Sequence, residues 1–295
     1  MLHFHPITPE DREKIHAFLY FAKGHGCEYS FANLLFWGDQ QVAWLDGSPL
    51  IYSVFGPWKS YQLPIGCEDL SLCIEELRAD AERRGNSFRL FGLTREETEQ
   101  LETLFPHRFA FSPARDSFDY IYDINRLAEL KGKKLQSKRN HCNRFEAEFP
   151  DYEILPLCRD LLPQCEAFAE EWYRSHAHTG EDFEGEKRAL TKAFVYFEAL
   201  QMEGILLKHR EKVLGFSMGN RIREDTFDVN FEKALADVNG AYPMVNREFA
   251  RRIHSAYPTV QYLNREDDMG LPGLRRAKES YYPDFLLEKF VGEAI

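Results

Sequence analysis

Apolar positions change period repeatedly along the chain, and the changes predict a mixed α and β order. The first half reads as a strand at 3–6, a helix at 9–22, a helical turn at 30–37 and strands at 41–45 and 50–55. Asp46-Gly47 between the last two is a hairpin signal, because a two-residue turn needs positive φ, which these residues tolerate. A strand at 61–64, a helix at 69–84, a strand at 88–92, a helix at 94–104 and closing strands up to Tyr122 complete that half. The second half repeats the order: a strand at 152–155, helices at 163–176 and 184–202, and strands at 205–209, 212–218 and 226–231. A helix at 242–255, a strand at 260–264, a helix at 272–281 and a last strand at 285–290 follow. Two copies of one α+β architecture is the economical interpretation, with domains at 1–125 and 151–295 and a helical connector at 126–150.

The 295 residues, 44% of them hydrophobic, suffice for two ordinary cores. No apolar run approaches the ~20 residues that cross a bilayer, and MLHFHPITPED lacks the basic and apolar parts of an export signal, so a cytoplasmic protein without integral membrane contact is expected. The six cysteines form no CxxC pair, which favours buried free thiols over a zinc ribbon or redox pair. His176 and His178 make an HxH pair with no further ligand to complete a set, so an exposed loop and no metal are expected.

Charge changes the picture at one place. The formal net charge is −11, but it divides into −8 over residues 1–125, +6 over 126–145 and −9 beyond. Within the connector, KGKKLQSKRNHCNR (131–144) holds six Lys/Arg and no Asp/Glu. A short helix begun near Asn125 should end at Gly132, and a second should run from Lys133 until Pro150 stops it. At 100° per residue, Lys131, Lys134 and Lys138 then share a side with Leu135, Cys142 and Phe145. Lys133 and Lys134 would stand in the first turn, where each cation is unfavourable by roughly 0.3–1 kcal/mol unless an anion binds there. Two readings stay open: the lysines neutralise the acidic halves, or they hold a phosphate-bearing ligand. Overall acidity excludes nonspecific clinging to nucleic acid or anionic lipid.

Candidate chemistry concentrates in the second half. Along TFDVNFE, Phe227, Val229 and Phe231 share one strand face, while Asp228, Asn230 and Glu232 alternate onto the other. That polar face is either open to water or built for a purpose. In LPGLRRAKESYYP, Leu274, Ala277 and Tyr281 form an apolar stripe, and Lys278 lies about 40° from Leu274, pointing inward or along the rim. Gly215-Phe-Ser217-Met-Gly219 satisfies G-x-S-x-G, but a nucleophile elbow needs a strand followed at once by a helix, and another strand follows here.

KGKKLQSKRNHCNRF together with NREDDMGLPGLRRAKESYYP resembles the phosphatidylglycerol lysyltransferase C-terminal-domain family, in its soluble branch, over nearly the whole chain. The resemblance implies two GNAT-like acyltransferase folds in tandem, as in the Fem peptidoglycan-bridge enzymes, each a mixed sheet flanked by helices. It also implies aminoacyl transfer from aminoacyl-tRNA to a hydroxyl or amine. The large transmembrane portion of the lipid-modifying members is missing, which leaves the acceptor open. Acetyl-CoA enzymes of this superfold carry [QR]xxGx[GA], against which Asp237-Val-Asn-Gly240-Ala-Tyr242 has wrong first and last positions. Coenzyme A is therefore the less favoured donor, and no cofactor is expected. On this reading Asp228 or Glu232 takes the acceptor's proton and Asn230 orients the acceptor or stabilises the oxyanion. Lys134, Lys138, Arg139, Arg275 and Lys278 hold phosphate, and Arg265, Glu266 and Asp267 bind a substrate amine or the acceptor. A CoA-dependent N-acyltransferase and a non-catalytic polyanion-binding module of the same fold are the alternatives.

Overall fold

The structure is a computed structural model and describes residues 1–21, 24, 26–176 and 183–295. Ala22 of the first expected helix and His178 of the HxH pair lie outside the described residues. Chain order begins β1 (His5–Pro6), α1 (Arg12–Phe21), α2 (Phe31–Phe36), β2 (Asp39–Leu45), β3 (Ser48–Phe55), β4 (Trp58–Tyr61), α3 (Leu70–Arg83), β5 (Arg89–Leu93), α4 (Arg95–Leu104), β6 (Phe109–Pro113) and β7 (Asp119–Asp123). It continues α5 (Ile124–Glu129), α6 (Gln136–Glu148), β8 (Tyr152–Pro156), α7 (Leu162–His176), α8 (Glu184–Val195), β9 (Glu203–His209), β10 (Lys212–Arg221) and β11 (Thr226–Ala234). The last elements are α9 (Ala241–Ala256), β12 (Tyr262–Asn264), α10 (Pro272–Glu279), β13 (Phe285–Leu287) and β14 (Phe290–Ala294).

Local chemistry explains several boundaries. Asp46 and Gly47 both take positive φ between β2 and β3, the backbone a tight hairpin requires. Thr94 and Glu97 form a reciprocal capping box at the start of α4. The helix expected from 133 begins instead at Gln136, so Lys133 and Lys134 precede it and Lys138 and Arg139 are the cations in its first turn. Leu130 already takes the left-handed conformation that ends α5, and buried Leu135 anchors the turn before α6.

The strands build two seven-stranded sheets, ordered β1-β2-β3-β4-β5-β14-β6 and β13-β7-β12-β11-β10-β9-β8. Counting β1–β7 and β8–β14 as two repeats, strand orders match position by position, except that each sheet takes the other repeat's seventh strand. Each sheet also contains a parallel pair, β4 with β5 and β11 with β12, joined through the helices α3 and α9. The single strand expected at 285–290 is thus two strands in different sheets. Two compact units result: 1–119 with 267–271 and 286–295, and 120–266 with 272–285. A division of the sequence at residue 125 does not express this exchange.

In the first unit Leu50, Leu77, Leu90, Leu93 and Leu101 are fully buried, each contributing about 1.5–3 kcal/mol by leaving water. The same unit encloses a charged cluster. The Lys289 ammonium is buried and reaches Asp119 Oδ1 at 2.7 Å, Glu28 Oε1 at 2.6 Å and Cys27 Sγ at 3.4 Å. Cys27, Glu28 and Asp119 lie close enough to hold a cation, and the place is taken by the chain's own ammonium. One ammonium cannot neutralise two carboxylates. Burial, aided by the like charge of Asp119 and opposed by Lys289, pushes the Glu28 carboxyl from its ordinary 4.5 up to about 7. Between those values the folded protein keeps a proton that the unfolded chain has released, so stability should fall as pH rises through this window. Urea titrations at a series of pH values should find that slope in the wild type and find it flattened in Glu28→Gln.

Candidate active site

Parallel pairing of β11 with β12 covers only Thr226, Phe227 and Asp228 against Tyr262, Leu263 and Asn264. Beyond it β11 continues to Ala234, whereas the partner chain turns away at Arg265. Glu266 takes positive φ there, and its N–H donates to Asn264 Oδ1 at 2.6 Å. The chain therefore opens beside the second half of β11, where its backbone no longer has a parallel neighbour from β12.

Both faces of β11 are covered, so the reading of one face open to water is excluded. Asp228 is fully buried and Asn230 nearly so. On the opposite face Lys233 lies 3.7 Å from the Trp172 ring centroid and is paired with Glu186. Asn230 Nδ2 donates to Asp228 Oδ2 at 3.1 Å and to Glu266 Oε1 at 3.3 Å. Glu232 accepts from Arg265 Nη2 through one oxygen at 2.8 Å and from Asn246 Nδ2 through the other at 3.1 Å. Its carboxylate is thus fixed from two directions, by the loop after β12 and by α9.

Arg265 is flanked by aromatic rings, with the centroid of Tyr281 4.8 Å away and that of Tyr122 5.5 Å away. Lys138, on α6, places its ammonium 4.2 Å from the same Tyr281 ring. Burial and the charge of Arg265 lower the pKa of Lys138, and Glu232 opposes them. The two cations thus meet at the Tyr281 ring, and Arg265 is the one paired with Glu232. Among the described residues, three buried polar atoms around Glu232 have no hydrogen-bond partner: Arg265 Nη1, Asn246 Oδ1 and Ser217 Oγ, the last on the residue paired with Glu232 across β10 and β11.

The structure brings together Asp228, Asn230, Glu232, Arg265 and Glu266, with Lys138 beside them. Lys278 is buried, but its ammonium donates to the Arg265 carbonyl, and Tyr122 OH donates to the Lys278 carbonyl at 2.7 Å. Lys278 therefore shapes the loop that carries Arg265. Arg139 turns back onto the carbonyls of Leu130 and Gly132, holding the turn before α6. Lys134 is exposed, Arg275 is half-buried on α10, and Asp267 accepts the Met269 N–H within the first unit. Ala277 is exposed and leaves the expected apolar stripe. Ser217 lies buried inside β10, in a strand that runs on past it and not at an elbow.

Asn246 and Tyr281 were not singled out as site residues by sequence reasoning. A signal existed for Asn246, which stands seven residues before buried Ile253 and thus on nearly the same side of α9. The Asp237–Tyr242 segment is also occupied in a defined way. Gly240 has φ +89, and a Cβ there would lie 2.5 Å from the His141 carbonyl oxygen, so the backbone of α6 passes directly against the start of α9. His141 Nδ1 is 2.7 Å from Asn239 Oδ1.

Comparison with known proteins places this geometry. A conserved protein of unknown function from Bacteroides thetaiotaomicron is 38% identical, with TM-score 0.94 over 100% of both chains. L-PGS from Bacillus licheniformis is 19% identical and matches with TM-score 0.65 over 96% of this chain and 92% of that one. FemX is 10% identical, with TM-score 0.59 over 99% and 97%. An uncharacterised protein of Mycoplasmoides gallisepticum is 26% identical over 188 residues, 61% of this chain, and the match spans only 57% of that curated relative's length. The low-identity likenesses establish the fold alone, two GNAT-like domains in tandem with mixed sheets flanked by helices. Among the described residues no helix is long and apolar enough to cross a membrane. The pattern of the family described as "Phosphatidylglycerol lysyltransferase, C-terminal" matches residues 20–292, and the chain belongs to that family.

Proposed function

We propose that the chain is an acyltransferase that moves an aminoacyl group from an aminoacyl-tRNA to a hydroxyl or amine acceptor, with its chemistry around Glu232. Family membership and the Fem-type fold support acyl transfer as the class. The observation that carries the finer reading is a buried donor left over beside Glu232: among the described residues Arg265 Nη1 has no acceptor, and Lys138 lies against the same Tyr281 ring as Arg265. Such a place favours an oxyanion, whether a donor phosphate or the oxygen that gains charge when the ester carbonyl is attacked.

In the proposed step the acceptor oxygen or nitrogen attacks the ester carbonyl, and its proton passes to a carboxylate of the Asp228 and Glu232 pair. The tetrahedral oxyanion accepts a hydrogen bond from Arg265 Nη1. Collapse breaks the bond to the ribose oxygen, which recovers the proton, so the pair ends as it began. Asn230 and Asn246 hold the two carboxylates in position. Contact of the His141 carbonyl with Gly240 disfavours an acetyl-CoA donor, because that carbonyl lies where the pyrophosphate would approach the start of α9.

Three outcomes are expected. Lys138→Ala should weaken tRNA binding in filter assays and reduce the slope of log affinity against log salt by about 1, the loss of one phosphate contact. An unchanged slope would remove Lys138 from the donor site. Glu232→Gln should lower transfer from aminoacyl-tRNA by about 10²-fold or more while leaving tRNA binding intact; binding without transfer in the wild type, across a panel of donors and acceptors, would favour the binding-module alternative. Calorimetry with acetyl-CoA should give no binding heat, and saturable heat would move the donor to coenzyme A.

A further inference from the structure

Tyr282 directly follows the buried Tyr281 and behaves in the opposite way. The residue is 43% exposed, although its backbone is held firmly. The residue has φ +53, a conformation uncommon for a bulky aromatic side chain and costly unless its surroundings impose it. They do: the Tyr282 N–H donates to the Glu279 carbonyl at 2.8 Å, and Arg126 Nη2 donates to the Tyr282 carbonyl at 3.1 Å. Arg126 also pairs with Asp284, which accepts the Asp123 N–H at 2.7 Å. The backbone is pinned on both sides while the ring is left in solvent.

Beside this ring stands the exposed part of the basic segment. Lys134 Nζ lies 5.4 Å from the Tyr282 ring centroid, and four residues on, Lys138 Nζ lies 4.2 Å from Tyr281. The two tyrosines and two lysines form two successive steps, the outer one exposed and the inner one adjoining Arg265 and Glu232. Lys131 and Lys133, just before Lys134 in sequence, are exposed, and Lys131 pairs with exposed Glu129 at 2.5 Å. A half-exposed ring beside surface lysines suits an unstacked base with its phosphate, and duplex RNA, whose bases stack on one another, cannot use it.

We propose that Tyr282 and Lys134 form a stacking site for a base in a single-stranded RNA segment, with its phosphates on the lysines of 131–134 and its end directed towards Lys138 and Arg265. This rests on the polyanionic donor proposed above and specifies the part of it that is bound. Positive charge alone would accept any polyanion. The exposed, rigidly mounted ring adds a requirement for unpaired bases.

The test is fluorescence anisotropy on the full chain with a labelled oligoribonucleotide of about ten nucleotides ending in CCA, either alone or annealed to its complement. The single strand should bind more tightly than the duplex. Tyr282→Asn removes the ring yet suits the left-handed backbone, and should weaken single-strand binding by about 5- to 150-fold with an unchanged salt slope. Tyr282→Trp should retain the affinity, and Lys134→Ala should lower the salt slope by about 1. Equal binding of both RNA forms, or a Tyr282→Asn protein that binds like the wild type, overturns the stacking site while leaving a general polyanion site standing. Failure of both RNA forms to bind overturns the stacking site and the polyanion site together.

Discussion

The candidate site in the second unit depends on the ion pair between Arg265 and Glu232. Glu232 lies where β11 has outrun β12 and is paired with β10 alone, and Arg265 lies in the chain that peels away. Withdrawing both charges from water costs several kcal/mol per ion, so the pair contributes little net stability even where its geometry is good. Removing one partner is a different matter, at about 3–5 kcal/mol, because the survivor stays buried and uncompensated. The pair therefore acts as a constraint on position. Arg265 ties the loop to the strand, Asn246 ties α9 to the same carboxylate, and Lys278 holds the loop backbone through the Arg265 carbonyl.

Element type and order were largely legible in the sequence, because long amphipathic stretches and turn residues report them locally. The helix at 70–83 with Asp69 as its cap and the hairpin at Asp46-Gly47 are examples. Partnership was not legible. The chain at Tyr120–Tyr122 and at Phe290–Val291 reads as buried strand in both places, but nothing in either segment says which sheet it joins. A fully buried strand has no polar face to fix its surroundings, so its destination is set by the cores it completes.

Candidate residues divided along the same line. Asp228, Asn230 and Glu232 were readable because a period of two places them on one face, and that face proves to be buried together with Arg265 and Glu266. The basic run was readable as a charge anomaly, but the roles within it were not, since they depend on one turn. Once the helix begins at Gln136, Lys133 and Lys134 fall before it and Arg139 folds back onto two carbonyls. Lys138 is then the lysine of the run that turns with Cys142 and Phe145 towards the interior.

Buried charge is handled in opposite ways in the two units, and the contrast separates structure from chemistry. In the first unit two carboxylates surround one ammonium, and the excess negative charge is relieved within the chain because Glu28 can take up a proton. In the second, Arg265 and Lys138 stand by the carboxylates of Glu232, Asp228 and Glu266, and Arg265 stays protonated, as a guanidinium does in proteins. Burial and the charge of Arg265 lower the pKa of Lys138, whose ammonium lies against the Tyr281 ring. Among the described residues Arg265 Nη1 is left buried with no acceptor. The first cluster settles its charge within the chain, whereas the second keeps a buried guanidinium donor unused.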